Sequence, residues 1–285
     1  KHLKILAYQD QLTLLPNWIK MNLDANQLLK RDDTYAFVLF DVNKFKLIND
    51  MYGYSYGDLL LKHIAQCIED FINEDECACR ISGDVFAMLL KYNDKASLTE
   101  RVNELFKVII ENDRNGHSSS YKLTFACGIY VLKDKTVTLT NANDRASMSK
   151  KTIKGYYDTN ISFFNTHIKN DMIEEEEIES SMHEAITNQE FEVYLQPQYY
   201  LNSEEISGAE ALVRWNNPKK GFLQPYKFIP LFEKNGFIVN IDFYVFEQVA
   251  AFLEKTKRSG ITPVPVSVNV SALHAEDPQT TRRYL

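Results

Sequence analysis

The sequence predicts a protein of mixed helices and strands that is divided into two domains. A length of 285 residues corresponds to about two domains of roughly 150 residues each. Runs of β-forming residues alternate with segments of helical periodicity along the chain, and an acidic stretch at 171–181 interrupts this pattern. In the second half the alternation of strands with helices predicts βαβ units and a parallel sheet.

The first half of the sequence contains one predicted β-hairpin together with further predicted strands and helices. Ser82-Gly83-Asp84 separates two short apolar runs, and this spacing predicts an antiparallel pair with glycine in the turn. The other predicted strands and helices follow from β-forming runs and from apolar residues at helical spacing. The predicted strands are 35–41, 77–81, 85–90, 122–132 and 161–164, and the predicted helices are 17–30, 57–71, 98–110 and 140–151.

The acidic stretch marks the predicted domain boundary. Ile173, Ile178, Met182 and Ile186 recur at helical spacing beneath four consecutive glutamates, which favours a solvated helix over a disordered run. We expect a first domain at 1–167, an acidic linker helix at 168–187 and a second domain at 188–285. The second domain has predicted strands at 191–196, 206–213 and 264–270 and helices at 225–234 and 241–257.

The amino-acid composition argues against several classes of protein. The net charge is −7, from 32 basic and 39 acidic residues, which argues against nucleic-acid binding by charge. Hydrophobic residues make up 45% and argue against intrinsic disorder. Four cysteines in so long a chain predict a reducing, cytoplasmic compartment. Because the sequence starts with Lys1, we expect a piece of a longer protein, with an upstream sensor or membrane-anchoring segment as one option.

Polar residues in the first half form one candidate site. Asp41 ends a predicted buried strand, and the hairpin turn places a second carboxylate, Asp84, within reach of it. Asn49 and Asp58 offer an amide and a carboxylate that suit the hydrogen-bonding edge of guanine. The alternative is that these residues only form turns and helix caps, and spacing alone favours that alternative.

Three ordered motifs then resemble GGDEF domains, the diguanylate cyclase family. They are DQLTLLPNW at Asp10–Trp18, DVNKFKLINDMYGYSYGDLLL at Asp41–Leu61 and RISGDVF at Arg80–Phe86. The resemblance covers roughly 1–167 and implies an α+β, nucleotidyl-cyclase-like fold with a central antiparallel sheet flanked by helices. It also implies that Asp41 and Asp84 bind divalent cations, normally Mg²⁺, and that Asn49 and Asp58 contact GTP.

Departures from the family pattern indicate a degenerate site. Val85 stands where the family has glutamate, Ser82 replaces the first glycine, and Asn43 replaces the second aspartate. A valine cannot coordinate a hard cation, so we expect no diguanylate cyclase activity. The resemblance places Lys151 near the family's phosphate-binding lysine. GTP binding without turnover and a ligand-free regulatory or dimerisation role both stay open.

The second half contains another candidate site, at the ends of predicted strands. Glu210 and Arg214 share one face of a strand, where a carboxylate suits a cation and a guanidinium suits a phosphate. Gln196 and Asn269 close two further strands, and polar residues at successive strand ends are typical of an active-site rim in a barrel. The alternative is a Glu210–Arg214 salt bridge and a turn-capping Asn269.

This half resembles the N-terminal part of an EAL domain, a cyclic di-GMP phosphodiesterase with a (β/α)₈ barrel. The matching residues are EALVRW at Glu210–Trp215, Gln196-Pro197, the run from Gly221 to Pro230, and VNVS at Val268–Ser271. The resemblance implies that Glu210, the only catalytic candidate here, and Asn269 bind Mg²⁺ or Mn²⁺, and that Gln196 and Arg214 contact the substrate. The sequence covers about three barrel strands and lacks the family's later acids, so we expect this fragment alone to be inactive.

Together, these resemblances predict a cyclic di-GMP signalling protein. A degenerate GGDEF domain is expected to regulate an EAL phosphodiesterase that, in the complete parent protein, hydrolyses cyclic di-GMP to linear pGpG. The alternative is a non-catalytic receptor or scaffold that binds GTP or cyclic di-GMP. Expected partners are cyclic di-GMP, GTP at the first domain, a second copy of the chain and an upstream sensor domain.

Overall fold

The computed structural model describes residues 7–113, 122–134, 136–154, 158, 160–203 and 205–275. The chain divides into two compact units, 1–170 and 171–285. None of the described helices is long and apolar enough to cross a membrane.

A five-stranded sheet forms the centre of the first unit, with strand order β2-β3-β1-β4-β5. Its central strand β1 is antiparallel to β3 and to β4, whereas the edge strand β5 runs parallel to β4. The predicted antiparallel hairpin is present as the β2–β3 pair. The strands are β1 (Tyr35–Val42), β2 (Cys77–Ser82), β3 (Val85–Lys91), β4 (Phe125–Leu132) and β5 (Asn160–Phe163).

Helices cover both faces of this sheet, which is why every residue of β1 is buried. Alternate side chains of β1 enter two different cores: Phe40 packs with the residues of α3 and α4, and Phe37 packs with those of α1 and α5. This architecture confirms the α+β prediction. The helices are α1 (Trp18–Leu28), α2 (Phe45–Tyr52), α3 (Tyr54–Phe71), α4 (Lys95–Asp113) and α5 (Leu139–Lys151).

The second unit contains a smaller sheet whose central strand is β7. The helix α6 (Thr166–Thr187) begins in the first unit and continues into the second. The other elements of the second unit are β6 (Phe191–Tyr199), β7 (Ile206–Asn217), β8 (Gly221–Leu223), α7 (Pro225–Asn235), α8 (Ile238–Arg258) and β9 (Val266–Val268), and a 3₁₀ turn at Ala272–Ala275 follows. The predicted parallel pairing is correct for β7 and β9. It is wrong for β6 and β7, which are antiparallel, because the short connection between them cannot contain a crossover helix.

The two faces of the β6–β7 ladder differ in chemistry. Phe191 and Trp215 are opposite each other and pack, fully buried, against Phe228 and Phe232 of α7. The helix α6 contributes to the same core, although its sequence is strongly acidic. The other face of the ladder bears Gln196, Glu210 and Arg214 and is free of this packing, so polar groups are available on it.

Candidate functional sites

The first candidate site is built around Asp41, a buried carboxylate near the end of β1. Its Oδ2 atom accepts hydrogen bonds from the ammonium groups of Lys150, at 2.8 Å, and of Lys154, at 3.1 Å. Its Oδ1 atom is buried and accepts no hydrogen bond from any described residue. The carboxylate is therefore paired with lysines on one side and retains an unused oxygen on the other.

Asp84 lies beside Asp41 because the β2–β3 turn brings it there. Its Oδ2 atom accepts a hydrogen bond of 3.2 Å from the backbone N–H of Val42, the residue next to Asp41. Burial raises the pKa of the Asp84 carboxyl above its ordinary value, and the negative charge of Asp41 raises this pKa further. The structure thus brings together the two acids that the sequence predicts as cation ligands.

The turn that holds Asp84 is fixed by Arg80. Gly83, at the turn, has a φ of +54°, and its carbonyl accepts two hydrogen bonds from the Arg80 guanidinium, of 2.9 and 2.7 Å. The Nη1 atom of Arg80 donates a hydrogen bond of 2.7 Å to Asp10. Burial acts to raise the pKa of Asp10, but the hydrogen bonds from Thr13 and Arg80 outweigh it and lower that pKa. The first and third family motifs are therefore joined by one ionic contact.

Ser82 and Val85 flank the β2–β3 turn, whereas Asn43 directly follows β1. Val85 pairs with Ser82 across the hairpin and presents methyl groups where a carboxylate would be needed to bind a cation. Asn43 is tied to Thr124, by a side-chain hydrogen bond of 3.1 Å and a backbone hydrogen bond of 2.9 Å. Neither side chain adds a negative charge to the Asp41–Asp84 pair.

Asn49 and Asp58 lie on successive helices, and only Asn49 is enclosed. The Oδ1 atom of Asn49 is buried and accepts no hydrogen bond from the described part of the chain. A Cβ atom placed on Gly57 would lie 2.0 Å from that oxygen, so only glycine lets the Asn49 side chain approach α3 so closely. Asp58, by contrast, is exposed on the first turns of α3.

Sequence reasoning did not find Lys150 as a partner of Asp41. Lys151 is exposed, whereas Lys150 is buried and reaches Asp41. The signal that identifies Lys150 is its spacing: Ala142, Ala146 and Lys150 are four residues apart and form the buried stripe of α5. Gly128 of β4 allows this stripe to lie against the sheet, since a Cβ atom at that position would meet the Ala146 carbonyl oxygen at 1.9 Å.

The second candidate site lies on the polar face of the small sheet. Gln196 and Glu210 are cross-strand partners on β6 and β7. The parallel strand β9 places Asn269 next to them, and the Asn269 side-chain amide donates a hydrogen bond of 2.9 Å to Oε1 of Glu210. Three of the four side chains predicted for this site therefore come from three adjacent strands.

Arg214 is the fourth predicted residue, and its guanidinium is already engaged. It lies 5.9 Å from the ring centroid of Tyr194 and donates a 2.8 Å hydrogen bond to the carbonyl oxygen of Val213. Arg214 and Asn269 both line one cavity of about 230 Å³ between β7 and α8. The Glu210–Arg214 salt bridge that was the alternative interpretation is absent from the described ion pairs, so the arginine's charge is not neutralised by Glu210.

Asp242 is a residue that the sequence analysis missed. It is buried on α8, accepts a 2.8 Å hydrogen bond from the backbone N–H of Ser271, and lies 3.0 Å from Nε2 of His274. Burial raises the pKa of the Asp242 carboxyl above its ordinary value. These contacts fix the chain just after Asn269, and no motif in the sequence indicates them.

The donor sets of the two sites differ in how well they suit a divalent cation. Among the described residues, no group of three or more His, Cys, Asp or Glu side chains is arranged to hold a metal ion. In the second unit Glu210 and the neutral amide of Asn269 are adjacent, and such oxygen-bearing side chains suit Mg²⁺ or Mn²⁺ as part of a larger set. In the first unit two ammonium groups already contact Asp41, so that donor set does not fit a cation.

Comparisons with known proteins agree with this division. Residues 7–155 match the family described as diguanylate cyclase, GGDEF domain, and residues 179–285 match the EAL domain family. The chain is 27% identical over 275 residues to the bifunctional diguanylate cyclase/cyclic di-GMP phosphodiesterase MucR of Pseudomonas aeruginosa. That match covers 94% of this chain and 40% of MucR. It is also 26% identical over 285 residues to the cyclic di-GMP phosphodiesterase PdeR of Escherichia coli, covering 97% of this chain and 42% of PdeR.

A solved structure has the same two folds in the same order along the chain. The S helix-GGDEF-EAL structure of Vibrio cholerae LapD, bound to c-di-GMP, is similar with a TM-score of 0.57 and 17% identity, covering 99% of this chain and 66% of that one. The coverages given above mean that the chain spans about two fifths of the length of MucR and of PdeR. From these matches and the two sheets described above, the chain belongs to the GGDEF family of diguanylate cyclase domains and continues into a segment of the EAL domain family.

Proposed function

We propose that this chain is part of a cyclic di-GMP phosphodiesterase whose GGDEF domain regulates it without acting as a cyclase. We propose the domain bounds predicted from the sequence, 1–167 and 188–285, with the acidic helix at 168–187 between them. The observation that carries the proposal is the convergence of Gln196, Glu210 and Asn269 from three adjacent strands. The names of MucR and PdeR support the same substrate.

Each of these side chains has a role that its chemistry supports. Glu210 and Asn269 would hold the divalent cation, Mg²⁺ or Mn²⁺, together with acids supplied by the rest of an EAL barrel. When bound, such a cation polarises a phosphodiester and lowers the pKa of a water molecule. Arg214 would contact a substrate phosphate from the wall of its cavity, and Gln196 would donate a hydrogen bond to the substrate.

The first domain is proposed to be inactive as a cyclase because its acids lack a third partner. Val85 removes one carboxylate from the site, and Lys150 and Lys154 neutralise Asp41. The enclosed Asn49 amide and the nearby Asp58 support GTP binding at this domain. GTP would then act as a regulatory ligand, and its binding is measurable by calorimetry.

The decisive test uses the full-length parent protein with Mg²⁺ or Mn²⁺. We expect it to convert cyclic di-GMP to pGpG, and we expect Glu210→Gln to lower the rate at least about 100-fold, because a lost cation ligand costs more than a lost supporting contact. Glu205→Gln is the matched control, since Glu205 is exposed in the β6–β7 connection. A parent protein that never forms pGpG, or a Glu210→Gln variant that keeps full activity, contradicts the proposal.

A non-catalytic receptor is the second candidate function. The observation that favours it is the hydrogen bond from Asn269 to Glu210, which directs an amide N–H rather than an oxygen toward the cation position. Calorimetry with cyclic di-GMP separates the two candidates. Tight binding by the parent protein without formation of pGpG supports the receptor, whereas turnover supports the phosphodiesterase.

A further inference from the structure

The most unusual feature outside the second site is the buried Lys150. Its side chain is 8% exposed and its ammonium is 2.8 Å from Oδ2 of Asp41, whose side chain is 4% exposed. A charged amine is rarely buried this deeply unless it is paired, since removing it from water is costly. Lys150, together with Lys154, therefore supplies the positive charge that neutralises Asp41.

The charges around Asp41 cancel without any added ion. Asp41 and Asp84 provide two negative charges, and Lys150 and Lys154 provide two positive charges on the same side of Asp41. A dication bound to the unused Oδ1 atom of Asp41 would still lie within a few ångströms of the buried Lys150 ammonium on Oδ2. Repulsion between like charges is strong in such a poorly hydrated place.

The backbone of Lys150 is held tightly against the sheet. The stripe of α5 that ends in Lys150 is pressed against β4 at Gly128, where even a methyl group would clash with backbone atoms of that helix. The backbone nitrogen of Lys150 is itself among the atoms that such a methyl group would meet, at 2.7 Å. The lysine therefore belongs to the packed structure and is not a surface side chain that happens to approach the site.

We propose that the Lys150 ammonium takes the place of the divalent cation beside Asp41, so that the first domain binds no metal ion at this position. This goes beyond the replacement of the family's glutamate by Val85, which removes only one of the family's ligands. It is independent of the phosphodiesterase proposal, because it concerns only the first unit. Under this proposal Mg²⁺ does not bind beside Asp41 in the first domain, whichever nucleotide that domain binds.

The test counts Mn²⁺ ions bound to the chain by electron paramagnetic resonance, without nucleotide. Wild type and Asp41→Asn are expected to bind the same number of ions, because no ion depends on Asp41. Lys150→Ala is expected to gain one ion per chain, and adding Asp41→Asn to that variant is expected to remove it. Lys151→Ala is the matched control, since Lys151 is the exposed neighbour, and it is expected to leave the count unchanged.

Two results would overturn the proposal. If Asp41→Asn releases an ion from the wild-type background, a cation coexists with Lys150; this measurement does not require the Lys150 variant to fold. If Lys150→Ala folds, as judged by circular dichroism, and gains no ion, then the lysine is not what excludes the cation. A Glu210→Gln variant should lose any ion bound at the second site. The ion count at the first site therefore tests this proposal independently of the phosphodiesterase proposal.

Discussion

Replacing Gly128 with alanine is the sharpest test of how the first unit is assembled. The added Cβ would lie 1.9 Å from the carbonyl oxygen of Ala146, so α5 has to retreat by about 1.5 Å to restore an ordinary contact of 3.4 Å. The nearest atoms belong to the backbone and cannot rotate away. Overpacking of this kind costs about 1–3 kcal/mol, and we expect about 3 kcal/mol for Gly128→Ala because the obstacle is rigid.

Hydrogen exchange measured by mass spectrometry is the suitable assay, because peptides from β4 and from β7 report the two units separately. A loss of about 3 kcal/mol corresponds to roughly 100-fold faster exchange of the most protected β4 amides. It also corresponds to a melting temperature lower by about 6–12 °C for a unit of this size. Exchange in β7, which lies in the other unit, is expected to stay unchanged.

Gly57→Ala is the matched comparison, since its Cβ would also be too close to a neighbour, at 2.0 Å. That neighbour is the terminal oxygen of the Asn49 side chain, which can rotate away. We therefore expect a small change in stability and a marked loss of GTP binding. If Gly128→Ala is as stable as wild type, or if Gly57→Ala is equally destabilised, the argument from rigid and flexible neighbours is wrong.

Three further measurements test the packing and the charges. Glu76→Gln is expected to cost about 3–5 kcal/mol, because the fully buried Glu76 carboxylate pairs with Arg101 through two hydrogen bonds of 2.6 and 2.7 Å. Burial acts to raise the pKa of Glu76, but these bonds outweigh it and lower that pKa, so the stabilisation is present at neutral pH and lost as the pH falls below the ordinary value of 4.5. A urea titration at several pH values should therefore show a weaker acid dependence in the variant. Trp215→Ala should cost the second unit about 3–5 kcal/mol and leave β4 exchange unchanged, and an effect on both units would contradict this. All four cysteines are buried, and burial raises the pKa of Cys77 to about 12, so iodoacetamide at pH 8 should label the chain only after unfolding; rapid native labelling would refute the burial.

Elements with strong periodicity were predictable from the sequence, and short or polar ones were not. The strand β1 is apolar on both faces because two cores cover it, and its sequence shows this directly. The helix α2 was not predicted, since Ile48 is its only buried residue, and β8 is only three residues long. The antiparallel β6–β7 pair was missed because alternation of strands and helices does not reveal the length of one particular connection.

The candidate sites show the same division between local and long-range information. Asp41, Asp84, Glu210 and Asn269 stand in recognisable motifs, and the structure brings each pair together. Lys150 lies 109 positions from Asp41 in the sequence, and only the packing of α5 on Gly128 determines which of two adjacent lysines enters the site. Asp242 contacts Ser271 and His274, which lie 29 and 32 positions further along the chain, without any local pattern.

The partners of Glu210 and of Asp41 explain why the two units are proposed to differ in chemistry. Glu210 is met by the neutral amide of Asn269, which leaves the full negative charge of the carboxylate available to an incoming cation. Asp41 is met by two ammonium groups, which cancel that charge before any cation arrives. A charge-neutral pocket offers a dication little electrostatic gain to offset the loss of its hydration shell. This difference is the physical basis for proposing metal-dependent hydrolysis at the second site of the complete protein and ligand binding without a cation at the first.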